Sequence, residues 1–268
     1  MFQIKKYPRT QHIEGSRLQP GDEDLDSVPF ARLKGRHLVI EEKVDGANTG
    51  ISMSESGELR LQSRGHYLVG GRRERHFSLF KQWAMTQVES WQQILGQRYL
   101  MFGEWLYAKH TLFYDQLPHY FQEFDILDRQ TGQFLSTEKR RRMTGGFPLY
   151  SVRVLHKGPL EHVDELKDLI GPSAFQSDHF LEKLREHVVE NGLDLDKVMH
   201  QTDVSELMEG LYIKVEEDGV VKERYKFVRH DFLTSLAADA SHWMNRPIIP
   251  NQLTPGADIF GRTDVSRS

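Results

Sequence analysis

A chain of 268 residues, 38% hydrophobic and 28% charged, holds enough material for one large domain with a buried core and has the balance of a globular protein rather than a disordered or membrane-embedded one. Its net charge of −4, from 35 basic and 39 acidic residues, argues against a general polyanion-coating surface, so any nucleic-acid contact must follow a local basic track. The absence of cysteine rules out disulfides and thiolate metal sites, and the 13 histidines show no ligand spacing that points to zinc.

In chain order, the opening "MFQIKKYPRT" lacks the apolar stretch and cleavage site of a leader, and no apolar run approaches the ~20 residues that span a bilayer. A cytoplasmic location without membrane association is therefore expected. "KYPRTQHIEGSR", with Arg9, His12 and Ser16, reads as a candidate phosphate-contacting loop, and the acidic, Pro/Gly-punctuated "LQPGDEDLDSVP" as a loop before the first strand. "GRHLVIEE", "ANTGISMS" and "GELRLQS" alternate as strands, the last two joined by a turn at "SESGE". "HFSLFKQWAMTQVESWQQILG" repeats Phe77, Phe80, Ala84, Val88, Trp91 and Leu95 at helical spacing, with Gly96 at the C-terminal cap, and predicts one core-packing helix. "RYLMFGEWLYA" and "HYFQEFDILDRQTGQFLS" predict strands, followed by a strand in "LYSVRVLH" and helices in "HVDELKDLIG" and "DHFLEKLREHVVENG". "EGLYIKVEE" and "VVKERYKFVR" around Asp218-Gly219 predict a hairpin, and "DFLTSLAADASHWM" a last helix before the Pro-rich "NRPIIPNQLTPG". Antiparallel hairpins with irregularly interspersed helices favour an α+β fold over a doubly wound sheet. Two basic tracks stand out. "SRGHYLVGGRRER" joins an aromatic, glycines and four arginines beside the candidate chemistry, whereas "EKRRRMTGG" reads equally well as a solvated surface loop.

Charges inside apolar strands are costly unless paired, and Lys43, Glu104, Glu209 and Lys226 all occupy such positions. If their strands are neighbours, they converge on one cleft of near-balanced charge, as a phosphate-handling site requires. A lysine there acts either as a phosphate clamp or as a nucleophile. Arg224 and Lys226, at i and i+2 on one strand face, read as clamps. Lys43, at a strand mouth beside a glycine turn, suits the nucleophile.

"EKVDGAN" resembles the Lys-x-Asp-Gly motif of polynucleotide ligases and mRNA capping enzymes. "SRG" (Ser63 to Gly65), "FGEW" (Phe102 to Trp105), "FQEFDILD", "EGLYIK" (Glu209 to Lys214) and "RYKFV" resemble the five further elements of that superfamily, in family order, over roughly Leu38 to Arg229. Through "EKVDGAN" and "EGLYIK" the chain is most similar to RNA ligases of the bacteriophage T4 RNA ligase 2 type. The resemblance implies a nucleotidyltransferase (ATP-grasp-like) fold of antiparallel sheets flanked by helices, with the nucleotide cleft between the sheets. It implies Lys43 as the residue that carries AMP, Glu42 at the adenine amino group, Asn48 and Arg64 at the ribose, phosphate or incoming RNA end, and Glu104 at the ribose hydroxyls. Phe124 would stack on adenine, with Phe121 as a rival; Lys214 would join the nucleotide contacts; and Arg224 and Lys226 would neutralise the α-phosphate. Glu104 and Glu209 would meet Mg²⁺ or Mn²⁺ through water. Arg224 departs from the family pattern, which has lysine there.

The expected organisation is an adenylyltransferase domain over 1–230 with a helical insert at about 161–207, then a short helix and extended tail over 231–268 without a full OB-fold. The expected activity is ATP-dependent joining of RNA 5′-phosphate and 3′-hydroxyl ends through lysyl-AMP and adenylylated RNA, with an end-healing enzyme as a compatible partner. A DNA ligase, a capping-type guanylyltransferase and a non-catalytic nucleic-acid-binding relative are the alternatives.

Overall fold

The structure is a computed structural model and describes residues 4–18, 22, 24–232 and 247–261. Strands β1 (Gln11–Ile13) and β2 (Ser27–Val28) precede the first long hairpins, β3 (Leu38–Lys43), β4 (Ala47–Met53) and β5 (Leu59–Ser63). Helices α1 (Ser78–Thr86) and α2 (Val88–Leu95) lead into β6 (Tyr99–Trp105), β7 (Phe121–Asp128) and β8 (Gln133–Leu135). Then come α3 (Thr137–Thr144), β9 (Tyr150–Ser151), β10 (Val154–Gly158), α4 (Asp164–Asp168), α5 (Phe180–Glu190) and α6 (Leu195–His200). The hairpin β11 (Gly210–Glu217) and β12 (Val220–Val228) closes the sheet. The expected mixture of helices and antiparallel strands is borne out. No helix among the described residues is long and apolar enough to cross a membrane.

The strands form one hydrogen-bonded network in the order β10-β3-β11-β12-β8-β7-β6-β4-β5, rather than separate sheets. Its two halves meet at short β8, which pairs with β12 only through Val220↔Leu135 and Val221↔Phe134. Among the described strands the parallel pairs involve short segments, β1 with β12 and β2 and β9 with β7. Alternation sorts β3, β11 and β12 into two faces. Leu38, Ile40, Leu211, Ile213, Val215, Tyr225 and Phe227 form one apolar core, and Glu41, Lys43, Lys214, Arg224 and Lys226 take the opposite face. Asp218 and Gly219 both adopt positive φ (55° and 75°), the tight turn that the hairpin pattern predicted.

The expected single helix is broken at Gln87 (φ −111°, ψ 18°), which ends α1 and starts α2. Trp91 Nε1 donates to the Ala84 carbonyl at 2.8 Å across the break. The apolar stripe packs inward as expected, with Phe80, Ala84, Trp91 and Leu95 against Ile51, Met101 and Trp105, and Gly96 closes α2. The strand expected over "LYSVRVLH" is two pieces with different neighbours, β9 on β7 and β10 on β3. The helix expected over "DFLTSLAADASHWM" lies, beyond Phe232, outside the described residues.

The track "EKRRRMTGG" is helix α3, capped by Ser136, and is not a solvated loop. Its Arg140 is fully buried and bonds Glu41 Oε1 at 2.5 Å and Glu123 Oε1 at 2.9 Å. Lys214, equally buried, pairs with Glu41 at 2.8 Å and Asp125 at 3.2 Å, so three acids and two bases form one internal cluster between the halves. In the insert region, α5 and α6 pack through Phe180, Leu184, Val188 and Val198 onto Phe113 and Ile249.

Candidate active site

Lys43 ends β3 opposite Gly210, on the charged face. Its Nζ lies 2.6 Å from Glu209 Oε1, with the lysine side chain 22% exposed and the glutamate 2%. Burial pushes the lysine's pKa down, but the carboxylates of Glu209, Asp45 and Glu104 outweigh it and hold the group above its ordinary value. Here Lys43 is a stabilised ammonium, not the pre-lowered amine that neighbouring cations would make.

Asp45 fastens the turn after Lys43. Its Oδ2 accepts from the backbone N–H groups of Thr111 (2.7 Å) and Leu112 (2.9 Å), while its own N–H donates to Tyr114 Oη (2.9 Å). Gly46 serves close packing: a Cβ there would come within 2.6 Å of Leu106 Cδ2 and 2.8 Å of the Trp105 carbonyl.

On β6, Glu104 stands opposite Asn48 of β4. Burial lifts the Glu104 carboxyl to about 8 against the pull of Lys43, with Asp45 and Glu209 adding to the rise. The raised folded-state value means that Glu104 contributes stability that is fully present below its ordinary value of 4.5 and is lost as pH climbs through about 8. Thermal unfolding from about pH 5 to about pH 9 should therefore show a decline that Glu104→Gln flattens; parallel curves for the two proteins would contradict the assignment.

Lys43, Asn48, Arg64 and Glu104 line one cleft of about 1280 Å³. Asn48 Oδ1 is buried there with no hydrogen-bond partner. One wall is the segment 63–76, the first basic track (Ser63 to Arg75) and His76 after it, which carries Ser63, His66, Gly70, Gly71 and His76 into the lining. Glu74 buckles this loop by accepting from the N–H groups of Val69 (3.1 Å) and Gly70 (2.9 Å) and from Lys81 Nζ (2.9 Å), which leaves Val69 89% exposed at the crest. The other wall comprises Lys109 and His110, residues of α6 and Pro247 to Ile249. His110 Nδ1 lies 3.9 Å from Asp45, and burial keeps this imidazole below its ordinary value. Neither Lys109 nor His110 stood out in the sequence.

The remaining expected contacts lie outside that lining. Glu42 occupies the face of β3 opposite Lys43, where it accepts from Ser173 Oγ at 2.6 Å and burial raises its pKa. Lys214 belongs to the internal cluster and donates to the Phe124 carbonyl. Phe124 meets the edge of Tyr7 at 5.1 Å and lies 6.4 Å from Tyr212, whereas Phe121 is fully buried beside Phe80 and Trp83. Arg224 lies over the rings of Phe134 (4.0 Å) and Tyr7 (5.5 Å), 3.7 Å from Asp125. Lys226 is ion-paired to Asp22, which also meets His12 Nε2 and Arg9 at 3.3 Å each. His12 Nδ1 bonds Ser16 Oγ at 2.7 Å, so His12 and Ser16 of the expected phosphate loop are engaged with protein partners. Burial and then Lys226 lower the pKa of the His12 ring.

Fold and site together define a mixed α and β protein whose charged cleft places a lysine among carboxylates, in a space large enough for a nucleotide. The chain belongs to the RNA ligase family: the model of that family matches residues 36–228. Among solved structures it is similar to a variant of Naegleria gruberi RNA ligase with ATP and Mn, at 18% identity and a TM-score of 0.50, covering 75% of this chain and 51% of that one. An apo variant of the same ligase matches at 16% identity and a TM-score of 0.50, covering 81% and 54%. The chain thus spans about half the length of these structures, and at such identity the likeness is one of fold. Among curated proteins none matches.

Proposed function

We propose that this chain is an ATP-dependent RNA ligase that joins 5′-phosphate and 3′-hydroxyl ends through a lysyl-AMP on Lys43. The observation that carries the reading is the 2.6 Å pair of Lys43, which lines the cleft with Glu104, and the buried Glu209 behind that lining. Its family membership and the ATP and Mn in a similar ligase support it.

In the first step the Lys43 ammonium gives one proton to Glu209, and the resulting amine attacks the α-phosphorus of ATP. The N–P bond forms, the bond to pyrophosphate breaks with its electron pair on the leaving oxygen, and the second nitrogen proton is released to solvent. In the second, an RNA 5′-phosphate oxygen attacks the same phosphorus, the N–P bond breaks, and the lysine regains its electron pair and a proton. In the third, a 3′-hydroxyl attacks the RNA 5′-phosphorus, a phosphodiester forms, AMP leaves, and the hydroxyl proton is released. Positioning and charge neutralisation carry such transfers. Asn48 and Arg64 contact ribose, phosphate or the RNA end, and Glu104 the ribose hydroxyls.

The hard oxygens of Glu104 and Glu209 fit Mg²⁺ or Mn²⁺. Among the described residues no group of three or more His, Asp or Glu is placed to hold an ion, so these carboxylates would meet it through water. When bound, the ion supplies charge neutralisation at the phosphates.

Phe124 and Glu42 for adenine, Lys214 for the nucleotide, and Arg224 and Lys226 for the α-phosphate remain part of this reading. For Lys226 the Asp22 carboxylate must give way to phosphate. Asp22→Asn, which keeps a hydrogen-bonding side chain but removes the competing charge, is expected to lower the KM for ATP roughly 3- to 10-fold in adenylylation assays. An unchanged or higher KM would show that Lys226 does not exchange partners.

The decisive assay is intact mass after incubation with Mg²⁺ and each nucleoside triphosphate separately. An AMP-sized adduct with ATP alone is expected, and no adduct with any nucleotide would end the proposal. Nicked duplexes differing only in ribose or deoxyribose at the 3′-hydroxyl side then separate RNA from DNA ligation.

A further inference from the structure

Residues 247–254 lie beyond the span that the family model matches, 36–228, yet Pro247, Ile248 and Ile249 line the same cleft as Lys43. Pro247 and Pro250 fix φ along this segment, which lowers the entropy lost when it is held. Backbone bonds seat it against the chain after β6. Lys109 N–H donates to the Ile249 carbonyl at 2.7 Å, Asn251 N–H to the Tyr107 carbonyl at 2.8 Å, and Thr254 N–H to the Leu117 carbonyl at 2.8 Å. Asn251 is buried, and each of its polar groups has a partner. Its Oδ1 accepts from the Tyr114 N–H at 2.9 Å, its Nδ2 donates to the Leu106 carbonyl at 2.7 Å, and its carbonyl accepts from Tyr120 Oη at 2.9 Å. Both residues held by this side chain reach the turn after Lys43. Tyr114 Oη accepts the Asp45 N–H at 2.9 Å, and Leu106 is a side chain against which Gly46 packs. Asp45 in turn accepts the N–H groups of Thr111 and Leu112, just before Tyr114. One amide side chain therefore braces the segment 106–114 at both ends, and that segment braces the turn that follows β3.

We propose that Asn251 is a positioning residue for adenylylation: through Tyr114 and Leu106 it fixes the Asp45-Gly46 turn and so aims the Lys43 amine at the α-phosphorus. The inference rests on the ligase reading and extends it to a residue that touches neither the nucleotide nor the reacting atoms. Truncating a buried amide leaves its partners unpaired, and the backbone that carries them must shift to recover hydrogen bonds. A displacement of about 1 Å at a reacting group is enough to cost about 10²-fold in rate.

Single-turnover adenylylation with saturating ATP and Mg²⁺, followed by intact mass, separates placement from folding. The final fraction of adenylylated chain counts folded molecules, whereas the rate constant reports how Lys43 is placed. Asn251→Ala should lower the rate constant about 10- to 100-fold, with the final fraction near the parent's and the KM for ATP changed less than about 3-fold. Tyr114→Phe removes only the phenol oxygen that takes the Asp45 N–H, and should lower the rate constant in the same way. Combined, the two substitutions should cost less than the product of their separate effects, since both act on one turn. In the nucleotide-free protein, hydrogen exchange over residues 44–47 and 110–115 should quicken at least about 10-fold in each variant. If both variants adenylylate within about 2-fold of the parent's rate constant, or if Asn251→Ala lowers only the final fraction, Asn251 does no more than hold the fold and the proposal is wrong. Where Asn251→Ala does not fold, Tyr114→Phe decides by the same measurements. A parent that forms no adenylate overturns the ligase reading instead, while quickened exchange at the Asp45 turn still upholds the link from Asn251 to it.

Discussion

Lys43→Ala is expected to form no adenylate and to lose ATP-dependent RNA joining by at least about 10³-fold, because no other group takes over a covalent nucleophile's bond. Lys43→Arg should be equally inactive. A guanidinium keeps its proton in proteins and cannot attack phosphorus, although it can still pair with Glu209. The two variants together separate loss of the charge pair at 2.6 Å from loss of the nucleophile. Only the first two of the three transfers involve a bond to Lys43, so sealing of a chemically pre-adenylylated RNA should survive in both. Intact mass reads the first step and gel mobility of the RNA the last. An ATP-dependent adduct persisting in Lys43→Ala would place the nucleophile elsewhere.

The largest loss of stability is expected from Arg140→Ala. It would leave Glu41 and Glu123 facing an emptied site in a fully buried cluster, and removing one partner of such a pair costs about 3–5 kcal/mol. Against a typical domain stability of about 5–15 kcal/mol, that is a large fraction. Burial alone drives the Glu123 pKa up, with Arg140 opposing it, so the variant should also become less tolerant of alkaline pH. Urea unfolding measures the change, and a loss under about 1 kcal/mol would contradict this view of the cluster. Replacing the charges together, Arg140→Met with Glu41→Gln and Glu123→Gln, should recover part of the loss, since an apolar or neutral substitute removes the uncompensated ions.

What could be read from the sequence followed periodicity and chain order. β3, β4, β6, β7 and the β11–β12 hairpin alternate strongly, and they carry Lys43, Asn48, Glu104 and the Asp218-Gly219 turn. The break at Gln87 was not legible because Val88, Trp91 and Leu95 continue the apolar stripe through it; the Trp91 bond to Ala84 appears only once the helices fold back. Arg140 sits in a run of charges that reads as solvated, and its partner Glu41 lies 99 residues away in sequence. Lys214, which the resemblance implies as a nucleotide contact, is enclosed by Asp125 and Glu41, partners far from it in sequence that no local pattern reveals. Tyr7 and Asp22, which cover Phe124 and Lys226, come from a loop segment with no period to reveal where it packs.

The crest of the loop 63–76 offers a spectroscopic handle. Val69 projects into solvent while its neighbours are fixed by Glu74, and the chain contains no cysteine. Val69→Cys would therefore create a unique thiol at the rim of the cleft, and a fluorophore attached there could time the arrival of a quencher-labelled oligonucleotide on the millisecond scale, separately from the chemistry that follows.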